Sequence, residues 1–87
     1  MESLEGIHNF PKLTHLDITD NELDSLVGLG SLSELTSLYA GQNNLTNIQP
    51  VSLLSNLKEL NVSHNPIDDV SPIENLSSLE INAARRS

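Results

Sequence analysis

Leu13-Thr-His-Leu-Asp-Ile-Thr-Asp-Asn-Glu-Leu-Asp-Ser-Leu-Val-Gly-Leu-Gly-Ser-Leu-Ser-Glu34 is one unit of a pattern that the chain repeats at a fixed shift, which carries Leu13 onto Leu35 and Leu35 onto Leu57. Its apolar and asparagine positions are Leu13, Leu16, Ile18, Asn21, Leu23, Leu26, Leu29 and Leu32. The same offsets hold Leu35, Leu38, Ala40, Asn43, Leu45, Ile48, Val51 and Leu54, and then Leu57, Leu60, Val62, Asn65, Ile67, Val70, Ile73 and Leu76. No offset is broken in any of the three units. Upstream, Leu4, Ile7 and Phe10 match the last three apolar offsets of a preceding unit, so the chain opens inside a repeat. Self-similarity at this period marks a solenoid, in which a unit too small to bury its own apolar face does so against its neighbours.

Each unit carries two periods. Leu-x-x-Leu-x-Leu ends in an alternation of period two and predicts a short strand. From Leu23 to Leu35 and from Leu45 to Leu57 the apolar residues recur every third position, which fits 3₁₀ or extended turns better than a 3.6-residue α-helix. A glycine or proline stands at one offset in every unit, Gly6, Gly28, Pro50 and Pro72, where the return must bend. Stacked units then give a parallel sheet of strands on one face and turns on the other.

The asparagine column Asn21, Asn43 and Asn65 is read as structural. A primary amide offers donors and an acceptor together, so it can satisfy backbone groups left unpaired where a strand turns away.

The pattern Leu-x-x-Leu-x-Leu-x-x-Asn-x-Ile/Leu resembles the leucine-rich-repeat family, and its 22-residue period resembles the class shared by bacterial internalins and SDS22-like phosphatase regulators. The stretch Asn65-Pro-Ile-Asp-Asp-Val-Ser-Pro-Ile-Glu-Asn-Leu76 is especially internalin-like. The resemblance implies an α/β right-handed solenoid with a parallel β-sheet on a concave face and 3₁₀ or extended turns on the convex face. It also implies a module that binds proteins and is not an enzyme. A single domain over 1–87 is expected: a half repeat at 1–12, repeats at 13–34, 35–56 and 57–75, a last strand at 76–81 and a polar tail at 82–87. The shortened third repeat puts Leu79 and Ile81 on strand positions; a strict count would put Asn82 where leucine belongs. Neither end shows a recognisable cap.

On such strands the residues beside the buried leucines face outward. The expected binding columns are His15, Ser37 and Glu59; Asp17, Tyr39 and Asn61; and Thr19, Gly41 and Ser63, with Asp20, Gln42 and His64 at the edge. Tyr39, central and one of two aromatics in the chain, reads as a solvent-facing anchor or as a side chain packed across its strand neighbours.

Composition narrows the partner. Twelve acidic against four basic residues give a formal charge of −8, which argues against a nucleic-acid backbone or an anionic membrane and for a neutral or basic protein surface. No stretch is long and apolar enough for membrane insertion. The start, MESLEGIHNF, has no basic n-region or apolar run of a signal peptide, which favours the cytoplasm; a surface or extracellular site holds for a piece of an internalin-like parent. The absence of cysteine fits either setting.

Chemistry-bearing sets are weak. His15, Asp17, Glu59 and His64 lack the spacing of a zinc motif, and Asp20-Asn-Glu-Leu-Asp24 lacks the glycine and closing glutamate of a calcium loop. No cofactor or metal is expected. Three Asn-x-Ser/Thr sequons, at Asn44, Asn61 and Asn75, follow from composition. The alternatives to a binding module are a structural or self-associating segment, joined through uncapped ends, and a substrate-delivery region of a larger enzyme.

Overall fold

The computed structural model describes residues 4, 6–74, 76, 77, 79 and 81–83, the last three by their backbone. Four three-residue strands, β1 (His15–Asp17), β2 (Ser37–Tyr39), β3 (Glu59–Asn61) and β4 (Ile81–Ala83), form one parallel sheet in chain order. The register is the sequence period itself: Leu16 pairs with Leu38 and Leu38 with Leu60. Four strands about 4.8 Å apart account for the short dimension of a body measuring 31 × 29 × 17 Å.

The first three strands are each followed closely by a left-handed turn. Asp20, Gln42 and His64, at one offset in successive units, have φ of 59°, 56° and 59°. The ladder continues past the strands as Asp20 N–H donates to Gly41 O at 3.0 Å and Gln42 N–H to Ser63 O at 2.9 Å.

The threefold apolar spacing produces 3₁₀ turns on the opposite face: η1 (Ile7–Asn9), η2 (Leu29–Ser31), η3 (Gln49–Leu53) and η4 (Ser71–Ile73). The glycine-or-proline offset resolves into two geometries. Gly6 and Gly28 precede their turns with φ of 89° and 99°, whereas Pro50 and Pro72 lie in the first positions of theirs. A proline ring holds φ near −65° and cannot take the glycine conformation, so the turn is rebuilt around it.

The leucine columns make one core. From Leu23 to Leu60 the side chains at these offsets are essentially sealed from solvent, while Ile7, Leu13, Leu16, Leu76 and Leu79 in the outer coils are half covered. Phe10, on the same offset as Leu32 and Leu54, is 60% exposed. Coils at either end of the stack cover their residues less evenly, since Ile18 and Ile73 there are still buried at 2% and 5%.

The last repeat differs from the sequence reading. Its strand is Ile81–Ala83, and Glu59 pairs with Ile81, Leu60 with Asn82 and Asn61 with Ala83, so the strand spacing of the earlier coils is kept and does not contract. The return turns explain this. Leu76 N–H donates to Ile73 O and Leu79 N–H to Leu76 O, repeating the bonds Leu54 to Val51 and Leu57 to Leu54 one coil earlier. Leu79 thus keeps the place of Leu57, and the strand expected at 76–81 begins later. Of the tail expected at 82–87, residues 82 and 83 are strand; 84–87 lie outside the described residues, as do 1–3 and 5 of the opening half repeat.

Candidate strand-face interface

The amides of the asparagine column knit the coils. Asn43 is 6% exposed; its Nδ2 donates to Ile18 O (3.0 Å), Ala40 O (2.9 Å) and Gly41 O (3.1 Å), and its Oδ1 accepts from Asn21 N (3.0 Å) and Leu23 N (2.9 Å). Asn65 donates to Ala40 O, Val62 O and Ser63 O and accepts from Leu45 N. Asn21, in the first complete coil, is half-buried and donates only to Thr19 O at 3.2 Å. These bonds hold the strand ends level, which sets the flat edge of the outward face.

That face is the columns read from sequence, with three changes. Gly41 is buried. Ser37 is buried at 3% exposure, and Tyr39 is half-buried and not fully solvent-facing. The cause is Glu59 on the next strand: its Oε1 accepts both the Ser37 hydroxyl at 3.1 Å and the Tyr39 hydroxyl. Tyr39 therefore leans along the sheet over the Ser37–Glu59 column, and the small serine lies beneath it. A diagonal neighbour on a parallel strand is within reach of a tyrosine hydroxyl. The strand register, which sets Glu59 beside Ser37 and so diagonal to Tyr39, was the sequence signal for this contact.

The bond shifts both titrations. The Tyr39 hydroxyl bond holds the Glu59 carboxyl below its usual range, helped by Ser37 and by the nearby His15. Donation to the Glu59 carboxylate pushes the Tyr39 phenol up, with desolvation and the Glu59 charge adding to it.

The flanks are tied by local bonds. Asp17 Oδ1 accepts Thr19 N–H at 3.1 Å, and contact with Thr19 holds the Asp17 carboxyl low. Asn61 Oδ1 accepts both the amide (3.0 Å) and the hydroxyl (2.7 Å) of Ser63. Gly41 beside them is buried, and a Cβ there would meet Asn61 Oδ1 and Ser63 O at 3.3 Å. His15 is exposed, with Nδ1 2.9 Å from the Thr14 hydroxyl. Gln42 and His64 are exposed at the edge, carried outward by their left-handed backbone. The result is a shallow polar surface with one restrained aromatic at its centre.

Among the described residues no three His, Asp or Glu side chains gather as a metal site, and no helix is long and apolar enough to cross a membrane.

Comparisons with known proteins agree on the architecture. Family models described as leucine-rich repeat match residues 11–26, and as leucine-rich repeats in two copies residues 33–75. No curated protein matches the chain. Among solved structures it is similar to internalin C2 of Listeria monocytogenes, with 38% identity and a TM-score of 0.89 over 92% of this chain and 35% of that one. It is likewise similar to an internalin, inlF, of the same organism, with 35% identity and a TM-score of 0.88 over 98% of this chain and 26% of that one. The chain thus spans about a third of the first relative's length and a quarter of the second's.

Proposed function

Because the chain belongs to the leucine-rich-repeat family and is built like a bacterial internalin, we propose that it is a non-enzymatic protein-interaction module whose partner docks on the strand face around Tyr39. Leucine-rich-repeat folds typically serve as such modules. The observation that carries the reading is the restraint on Tyr39: its hydroxyl is held by Glu59 while part of the ring stays open. An aromatic already fixed by its neighbours loses little side-chain entropy on binding, which is the economy expected of an interface anchor. His15, Asp17, Thr19, Asn61, Ser63, Gln42 and His64 would form the polar rim, and Ser37 acts beneath the surface by steadying Glu59.

The test is quantitative recovery of a partner on immobilised chain. Tyr39→Ala is expected to weaken recovery by tenfold or more, about 1.4 kcal/mol, while Ser55→Ala, exposed outside the strand face, leaves it unchanged. Equal small losses from both refute the reading.

A second reading rests on Phe10. Its 60% exposure, beside half-covered Leu13 and Leu16, leaves apolar surface at the first coil that another coil could cover. Light scattering behind size exclusion separates the two, since a monomer over a wide concentration range excludes this association.

A further inference from the structure

The turn face carries an open groove of about 700 Å3 between the returns of the first two complete coils. Val27 and Leu53 flank it, 76% and 66% exposed, and Gly28, Gly30 and Pro50 line it. Its size lies within the range of roughly 300–1,000 Å3 usual for binding pockets.

The fold does not require these aliphatic side chains. The offset of Val27 holds Gln49 and Ser71 in the following coils, and that of Leu53 holds Ser31 one coil before. Nor is there much polar competition in the walls, because their polar groups serve the turns. Ser25 Oγ accepts Val27 N–H, the Ser31 hydroxyl donates to Gly28 O, the Ser52 hydroxyl donates to Gln49 O, and Asn47 Oδ1 accepts Gln49 N–H. Gly30 matters for shape. A Cβ there would lie 2.5 Å from Leu53 Cδ1, so the glycine lets Leu53 lean across the cleft.

Charge selects the occupant. Asp24 and His8 line the groove and no lysine or arginine does, on a chain of net charge −8. A second copy would bring the same negative charge to this rim, whereas a basic apolar segment would meet an opposite one. We propose that the groove binds a short peptide segment of another protein, with an aliphatic or aromatic side chain between Val27 and Leu53 and an adjacent lysine or arginine at Asp24. This surface is separate from the strand face and does not depend on the role of Tyr39.

The probe is the acetylated peptide GSRLFRSG, with GSELFESG as its charge-swapped twin, titrated into the isotope-labelled full chain. The expected result is movement of the backbone amide signals of Val27, Gly28, Gly30 and Leu53, with those of Tyr39 and Gly41 still. Affinity should fall about tenfold, or ~1.4 kcal/mol, for the twin, and similarly for Leu53→Ser, whose exposed position leaves the fold intact by circular dichroism. Absence of binding up to about 1 mM, equal affinity of the twins, shifts centred on the strand face, or undiminished binding by Leu53→Ser would each overturn the proposal. So would shifts of the same groove amides on raising protein concentration alone, which would assign the groove to a second copy.

Discussion

Replacing Asn43 with alanine removes five hydrogen bonds, but their loss is unequal. Ala40 O also accepts from Asn65 Nδ2, and Gly41 O also accepts Asp20 N–H, so neither is stranded. Ile18 O, Asn21 N and Leu23 N have no other partner among the described bonds. A buried backbone group left unpaired costs about 1–3 kcal/mol, so three of them predict a loss of roughly 3–5 kcal/mol once partial access of water is allowed. A chain of 87 residues has a total stability of about 4–13 kcal/mol, which makes this a large fraction. Asn65→Ala strands only Val62 O and Leu45 N, for about 2 kcal/mol, and Asn21→Ala frees only Thr19 O near solvent, for about 0.5 kcal/mol. Urea unfolding followed by far-ultraviolet circular dichroism reads the series. With a slope of about 1.5 kcal/mol/M, Asn43→Ala lowers the midpoint by roughly 2 M or more. Equal losses at Asn21 and Asn43, or a loss under about 1 kcal/mol at Asn43, would refute the claim that the inter-coil bonds decide the cost.

Tyr39 is the only tyrosine, so the ultraviolet signal of tyrosinate should report ionisation above the ordinary phenol value, and Glu59→Gln should move it back toward that value by removing the carboxylate acceptor. Because the folded-state value of Glu59 lies below its usual 4.5, the contact is fully present above that value and is lost as pH falls through the folded one. Urea midpoints taken across that acid range should therefore decline less steeply in Glu59→Gln. Gly28→Ala places a side chain at φ +99°, and although its nearest new neighbour is Ile7 Cγ2 at a comfortable 3.7 Å, the backbone alone should cost about 1–2 kcal/mol; Gly30→Ala, whose close neighbour is the free end of Leu53, should cost less in the same melt. His64→Asn, at φ 59°, should raise stability by about a few tenths of a kcal/mol, since asparagine tolerates that conformation better.

The repeat, its leucine columns and its asparagines were legible in the sequence because each is defined by its own copy one repeat away. A residue that must touch its equivalent in the next coil is constrained in type, and the constraint appears as periodicity. The outward columns followed from the same rule, but their side-chain behaviour did not. Periodicity places Glu59 beside Ser37 and diagonal to Tyr39, but it does not record that Glu59 bonds Tyr39 or that Ser37 lies covered, since these contacts join different residue types across strands and occur once. The groove between Val27 and Leu53 escaped for the same reason, being made from departures at two offsets.

By itself the sequence determined the period, the fold class and the core of the inner coils, because burial in a stack of alike coils demands repetition; at the outer coils Phe10 and Val70 hold apolar offsets and are exposed. Only the tertiary structure decided the register of the last strand. Leucine matching alone placed that strand at 76–81 with Leu79 and Ile81 on it, yet β4 lies at Ile81–Ala83 and takes in Ile81 but not Leu79. The 3₁₀ bonds through Ile73, Leu76 and Leu79 and the ladder to Glu59–Asn61 recur at the same full repeat length as in the coils before. Several backbone hydrogen bonds formed together outweigh the placement of one leucine, and that balance exists only once the neighbouring coil is in place.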